Sequence, residues 1–234
     1  MKHLFYCPAL VGSMVDLQED EAHHARAVLR LSVGTRIGLL DGRGNVAEAE
    51  IVLSDKRRVG VSIISQRAVH AERPARIHLA VAPTKQMDRF EWMLEKCTEI
   101  GVDRITPLIT ERTERTKLRR DRLERVLIGA MKQSQRAWLP QLDEQTTINE
   151  LIDRGIPAQR WFGWCEGDRT SLAMGYRAKE DAILFIGPEG DFTPDEAGRL
   201  VAHGFSPVGL GEARLRTETA AVAACAYMNM AQQV

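Results

Sequence analysis

The 234-residue sequence predicts an α/β chain, with a small β-barrel ahead of a mainly parallel sheet. Up to about Val69 the apolar runs are short, β-branched and bounded by Gly, Asp or Ser, the texture of an all-β unit. After Arg76, strand-like and helix-like segments alternate, as they do where a parallel sheet carries helices on its faces. The run from Ala182 to Ile186 is apolar throughout, which suits a strand covered on both sides.

The elements follow in order. Thr35 to Leu40, Val46 to Val52 and Val59 to Ser65 read as strands, and DGRGN (41–45) joins the first two as a hairpin loop. A helix from Glu19 to Leu31 is expected to place Ala22, Ala25, Val28 and Leu29 on one face. Pro74 marks a junction, so the expected division is 1–72 and 73–234. Ile77 to Ala82 is the next strand. The helix Gln86 to Ile100 carries the stripe Met87, Phe90, Met93, Leu94, Cys97 and Ile100, and Gly101 stops it. Then come a strand Arg104 to Thr110, a helix Asp121 to Ala137, a short strand near Gln141, a helix Ile148 to Arg154 and a strand Trp161 to Cys165.

Composition narrows the class. Lys plus Arg equals Asp plus Glu at 32 each, so no global basic field advertises a polyanion; only local charge distribution can. A hydrophobic share of 44% supports a packed core and excludes a mainly disordered chain. Cys7, Cys97, Cys165 and Cys225 stand far apart without a CxxC pair, which reads as reduced thiols in a cytoplasmic protein. No signal peptide or membrane-spanning run is expected.

The densest chemical signal is ILFIGPEGDFTPDEAGRL (183–200). A buried strand runs into Gly187-Pro188-Glu189-Gly190, and a helix follows with Thr193 as N-cap, Pro194 at N1 and Glu196 at N3, a complete capping box. Glycines at the carboxyl end of a parallel strand let backbone approach a ligand, although such a turn also needs glycine for its dihedrals alone. FSPVGLGEARLRTETAAVAACAYMNM (205–230) repeats the pattern: a strand Val208 to Leu210, Gly211, a polar loop, and a helix opening near Thr217 or Thr219. Its small-residue run suits close burial against other elements or a second subunit. If these two strands were neighbours, their loops would form one rim suited to a neutral purine and ribose.

These residues resemble a known family. IGPEG (186–190), LG (210–211) and LRTETA (215–220) look like the cofactor loops of SPOUT methyltransferases, and in particular of the 16S ribosomal RNA small subunit methyltransferase E family. KQMDRFEWMLEKCTEIGVDRITPL (85–108), AMKQSQRAWLP (130–140) and HHARAVLRLSVGTRIGLLDGRGN (23–45) extend the resemblance, in order, over nearly the whole chain. The resemblance implies a PUA-like N-terminal barrel that holds RNA and a catalytic domain with a C-terminal trefoil knot. It implies a homodimer that uses S-adenosylmethionine to methylate N3 of a decoding-region uridine of the small ribosomal subunit. The implied cofactor contacts are Ile186, Gly187, Glu189, Gly190, Leu210, Gly211, Leu215, Arg216, Thr219 and Ala220. The family's LG.RILRTETA is altered here, where Ala213 and Arg214 replace the usual pattern.

An imide nitrogen attacks a sulfonium methyl best once its proton has left, which calls for a base or an anion-stabilising cation. Arg216, Glu218 and Arg136 are the catalytic candidates; Glu218 equally fits a first-turn carboxylate favoured by the helix dipole. From Thr110 to Pro140, nine Lys/Arg face four acids; from Asp181 onward, seven acids face three arginines. Arg26, Arg30, Arg112, Arg115, Gln133 and Ser134 are the expected RNA contacts, though a salt-bridged helix face also produces a basic run such as 110–140. His23-His24 is rejected as a metal site because adjacent helical positions diverge. DGRGN leads into a strand, so it is not a nucleotide-binding glycine loop. Trp161 and Trp164 are strand aromatics that could stack on a base, and Cys165 is expected in the core. The rival reading is a non-catalytic RNA-binding or ribosome-assembly protein on the same fold, against which the cofactor loops speak.

Overall fold

The computed structural model describes residues 3–70 and 73–233; residue 72, where the expected domain boundary falls, lies outside them. The chain divides into two compact units, Met1–Ala71 with Ile128–Leu139, and Glu72–Leu127 with Pro140–Val234. The first unit thus takes in a segment that a division in chain order assigns to the second.

In the first unit, β1 (Leu4–Tyr6), β2 (Met14–Asp16), β3 (Arg36–Leu40), β4 (Asn45–Ser54) and β5 (Val59–Ala68) form a five-stranded sheet in the order β1-β3-β4-β5-β2. β1 runs parallel to β3 and the other pairs are antiparallel. Alternation sends Ile37, Leu39, Ala49, Ile51 and Val61 into one core with Phe5, Leu17 and Ala25. The DGRGN loop is organised by Asp41, whose carboxylate accepts from the Arg43 and Asn45 backbone N–H groups at 2.7 and 2.9 Å. The returning segment seams it: Gly44 N donates to Ala137 O and Leu139 N to Gly42 O. Gly44 has φ +93°, and a Cβ there would lie 2.4 Å from the Trp138 ring. Only glycine meets both demands.

The helix expected over 19–31 is shorter and wider. Regular α1 covers Glu19–His23, and a π-helical turn takes over at His24–Val28. Leu29 N bonds back to His24 O and Leu31 N to Ala25 O, and Arg30 adopts φ 53°. The wider turn packs Leu29 and Leu31 against the core, a tertiary gain that a 3.6-residue periodicity cannot register.

The second unit is an eight-stranded parallel sheet. Its strands are β6 (Ile77–Val81), β7 (Arg104–Ile109), β8 (Gln141–Leu142), β9 (Thr146–Thr147), β10 (Gln159–Gly163), β11 (Thr170–Ser171), β12 (Ala182–Ile186) and β13 (Ser206–Gly209). Their order is β11-β13-β10-β12-β6-β7-β8, with β9 on β7. Every residue of β6 and β12 is buried, as expected of central strands covered on both faces. The helices are α2 (Met87–Ile100), α3 (Arg120–Gln133), α4 (Ile148–Asp153), α5 (Leu172–Gly175), α6 (Pro194–Ala202) and α7 (Thr217–Ala231). Gly101 ends α2 in the left-handed conformation at φ 111°, donating to Cys97 O. Thr193 and Glu196 make the expected capping box of α6, with Pro194 inside it.

After β13 the chain returns, and α7 packs on α2 and β6. Its Ala221, Ala224 and Cys225 are fully buried, and the Cys225 thiol lies 3.8 Å from the Cys97 carbonyl. Small side chains allow that approach. Near the amino ends of β6 and β7, buried His78 shares a 2.7 Å hydrogen bond with the Thr106 hydroxyl, which donates to Asp143, itself held by Arg104 at 2.7 Å. Burial, with Arg104 adding to it, pushes the His78 imidazole down to about 4.

Candidate active site

Three loops leave the carboxyl ends of β10, β12 and β13 and enclose a cleft of about 470 Å³. Gly163 pairs with Val208, and Phe162 with Phe185, so the three strand ends are level. Ligands of open α/β sheets bind at such ends.

Each loop is tied to its neighbours. Asp191, at φ 61°, accepts from Cys165 N at 3.0 Å and from Phe192 N at 2.8 Å, joining the β10 and β12 loops. Asp tolerates that left-handed conformation better than most side chains. The Thr217 hydroxyl donates to Gly187 O at 3.0 Å, joining the start of α7 to the same loop. A Cβ on Gly187 would lie 3.1 Å from Phe192 N, so the glycine lets the turn close on itself. Trp164 N donates to Val208 O at 3.1 Å. Arg169 donates to Cys165 O at 2.8 Å and lies over Gly209, where a Cβ would meet its Nε at 2.9 Å.

The rim continues through β6 and β7. Lys85 N donates to Glu189 Oε1 at 3.0 Å. The Arg112 guanidinium donates to Gly190 O at 2.5 Å and to Phe192 O at 3.3 Å. Buried Glu196 caps α6 with one carboxylate oxygen and accepts from Glu111 N at 2.8 Å with the other.

Of the residues singled out from the sequence, Ile186, Gly187, Glu189, Leu210, Gly211, Leu215, Arg216 and Ala220 line the cleft. Gly190 and Thr219 do not: both are exposed, and Gly190 is gripped from outside by Arg112. Glu218 faces elsewhere. It is buried in the first turn of α7, with Arg89 Nε 3.9 Å away, whereas Arg216, two residues earlier, lines the cleft. Residues two apart at a helix start point to different sides, which separates the two.

The remaining candidates are not among the residues that line the cleft. Arg136, Gln133 and Ser134 belong to the first unit, where the Ser134 hydroxyl donates to Ala130 O at 2.7 Å. In the same unit Arg26 donates to Asp55 O at 2.6 Å. Arg30 closes the π-helical turn. Arg115 donates to Lys85 O at 3.2 Å on the β7 side of the rim.

The β10 loop contributes Gly163, Trp164, Cys165, Glu166 and Arg169, none of which the sequence pointed to as cofactor contacts. The loops after β12 and β13 were expected side by side at one rim; β10 lies between the two strands, and its loop becomes the third wall. Gly167 and its polar neighbours do signal a turn, but no local feature says where that turn goes. Cys165, expected in the core, is instead exposed at the cleft, because its strand ends at Gly163 and the loop carries it outward. Partial burial and the adjacent Asp191 charge raise its thiol pKa, the opposite of an activated nucleophile. Trp161 is buried and its ring packs over Gly175, while Trp164 lines the cleft.

The walls therefore combine apolar side chains (Trp164, Ile186, Val208, Leu210, Leu215) with exposed backbone at glycines, and with three arginines and four acids at the mouth. That donor set fits a purine nucleoside carrying a zwitterionic tail: shape and backbone for the ring, charged groups of both signs for the tail.

Two family models match this chain, "RNA methyltransferase PUA domain" over residues 17–64 and "RNA methyltransferase domain" over 71–229. Ribosomal RNA small subunit methyltransferase E of Synechocystis is 30% identical, over 94% of this chain and 74% of that protein. A probable rRNA-methyltransferase from Porphyromonas gingivalis superposes with a TM-score of 0.91 at 40% identity, covering 99% of this chain and 98% of that one. The structure of Ribosomal RNA small subunit methyltransferase E from Neisseria gonorrhoeae bound to S-adenosyl methionine superposes with a TM-score of 0.86 at 29% identity, covering 97% of each chain. With both models matched in order and the relatives spanning the chain, the protein belongs to the ribosomal RNA small subunit methyltransferase E family of RNA methyltransferases.

Proposed function

We propose that the protein transfers a methyl group from S-adenosylmethionine to N3 of a decoding-region uridine in 16S ribosomal RNA. The observation that carries this is the convergence of the three loops on one cleft of nucleoside size. The bound cofactor of the Neisseria relative supports the choice of ligand.

Within the cleft, Ile186, Leu210 and Leu215 would bracket the adenine, and backbone around Gly187 and Gly211 would meet its polar edge and ribose. When bound, S-adenosylmethionine supplies an electrophilic methyl on a sulfonium. The chain's own task is to place the uracil imide in line and to stabilise the negative charge that forms as its N3 proton leaves. Arg216 lines the cleft at the N-cap of α7 and is the residue proposed for that charge. Glu218, facing Arg89, is left out of the proton step. Gly190 acts on the cleft through the position of its loop and Thr219 through the first turn of α7, not by contact.

Residues 1–72 are proposed as the RNA-holding domain and 73–234 as the catalytic one. Arg26, Arg30, Arg115, Gln133, Ser134 and Arg136 are proposed to face RNA. The return of α7 from β13 to β6 and α2 is consistent with the trefoil crossing expected from the resemblance. The proposal includes a homodimer acting in the cytoplasm, with a light-scattering mass near twice 26.2 kDa.

Calorimetric titration with S-adenosylmethionine, then methyl incorporation into 30S particles and free 16S RNA with mapping of the product base, tests the reading. Binding followed by N3-methyluridine is expected. No cofactor binding would leave the rival RNA-binding protein; a different methylated base would overturn the specificity.

A further inference from the structure

A second hollow opens on the rim, of about 380 Å³, lined by Lys85, Glu114, Arg115, Thr116 and Lys117. We propose that it is a phosphodiester site for the substrate RNA strand, a reading that rests on the RNA methyl transfer proposed above.

Its charge is the first argument. Three cations crowd one small depression against a single carboxylate. Glu114 sits 3.0 Å from Lys85 Nζ, but both side chains are more than 60% exposed (70% and 63%), and such a pair holds little and opens readily. Arg115 uses one of its five donors on the Lys85 carbonyl, which pins the guanidinium and leaves the others for an anion. Lys117 has no ion-pair partner among the described residues. Like charges lining one depression repel one another, and a bound anion offsets that repulsion.

Composition says which anion. The hollow has no aromatic or large apolar wall, so it offers nothing to a base or nucleoside; its groups address phosphate oxygens alone. A backbone phosphate, with its base elsewhere, is the matching ligand.

Position is the third argument. The hollow lies on the loop between β7 and α3, at the same carboxyl rim as the cleft. Lys85 links the two sites: it lines the hollow, and its backbone N–H holds Glu189, a wall of the cleft. Arg112, three residues before Arg115, grips the same β12 loop. A strand whose phosphate occupies the hollow is thereby registered against the loop that shapes the cleft.

The test measures binding of in vitro transcribed 16S RNA by the full-length protein across a salt series, with S-adenosylmethionine affinity measured in parallel. Lys117→Gln and the double variant Lys117→Gln/Arg115→Gln should flatten the slope of log K against log salt by about 0.7–0.9 per cation removed. Lys117→Arg should retain it, and Glu114→Gln should tighten binding a few-fold. Cofactor affinity should stay at the wild-type value throughout, which certifies the fold. Slopes unchanged in the glutamine variants, with cofactor binding intact, overturn the phosphate site and leave the methyl-transfer reading standing. Wild-type protein that binds RNA but never cofactor overturns that reading instead, while the slope comparison still decides the hollow.

Discussion

Replacing Asp191 by alanine removes the carboxylate that joins two walls of the cleft. It accepts from Cys165 N at 3.0 Å and Phe192 N at 2.8 Å. Hydrogen bonds to a charged group contribute about 1.5–3 kcal/mol each when shielded, and Asp191 is only half-buried, so the pair is worth about 2–3 kcal/mol. Alanine also bears the left-handed φ of 61° badly, at a further cost of about 1 kcal/mol. If this energy mainly orders the two loops, cofactor binding must restore that order, and a 3 kcal/mol deficit corresponds to about 100-fold weaker affinity. Asp191→Asn keeps one acceptor oxygen and tolerates the same φ, so about a tenfold loss is expected. Calorimetric titration with S-adenosylmethionine reads both, with urea unfolding as the check that each variant is folded. Wild-type affinity in Asp191→Ala would refute the positioning argument. Equal losses in both variants would show that the charge itself, not the tie between loops, is what the cofactor requires.

Three further predictions concern other parts of the chain. Arg112→Lys keeps the charge but loses the guanidinium nitrogen that bridges Gly190 O and Phe192 O; cofactor affinity should fall about tenfold with the salt slope of RNA binding unchanged, and a changed slope at full cofactor affinity would return Arg112 to direct RNA contact. Gly44→Ala places a methyl against the Trp138 ring at φ +93° and should lower stability in urea by about 2–4 kcal/mol; a neutral effect would show that the hairpin and the 137–139 segment part freely. His78 protonates near 4 in the folded chain and near 6.5 when unfolded, so stability should fall as pH drops from 6.5 to 4, by up to about 3 kcal/mol. Asp143, held low through Arg104 and Thr106 despite its own burial, adds its loss at still lower pH. Unfolding of His78→Gln across the same range should show a flatter dependence, and an identical curve would rule His78 out as the source.

Local signals carried far in this chain. Thr193, Pro194 and Glu196 announced the start of α6, and Gly101 the end of α2, because capping and left-handed glycine are decided within one turn of chain. The apolar run 182–186 is the strand it resembled, since burial on both faces leaves no polar position to mask. Eight of the ten cofactor contacts implied by the family resemblance line the cleft; the ordered motifs, not a local physical signal, named them.

What required the folded molecule is strand order and side-chain direction. Nothing near Trp161 or Val208 states that β10 lies between β12 and β13, because pairing is a choice among distant partners made by the packing of the whole sheet. From that insertion come the third wall, the exposed Cys165 and the Asp191 tie. Whether Arg112 reaches outward or grips Gly190, and whether Glu218 or Arg216 enters the cleft, turns on rotamers chosen after the loops are in place. Composition and periodicity determined which segments are strands and helices and that the chain is α/β; only tertiary structure decided which loops meet, because a contact between residues far apart in sequence leaves no imprint on either neighbourhood.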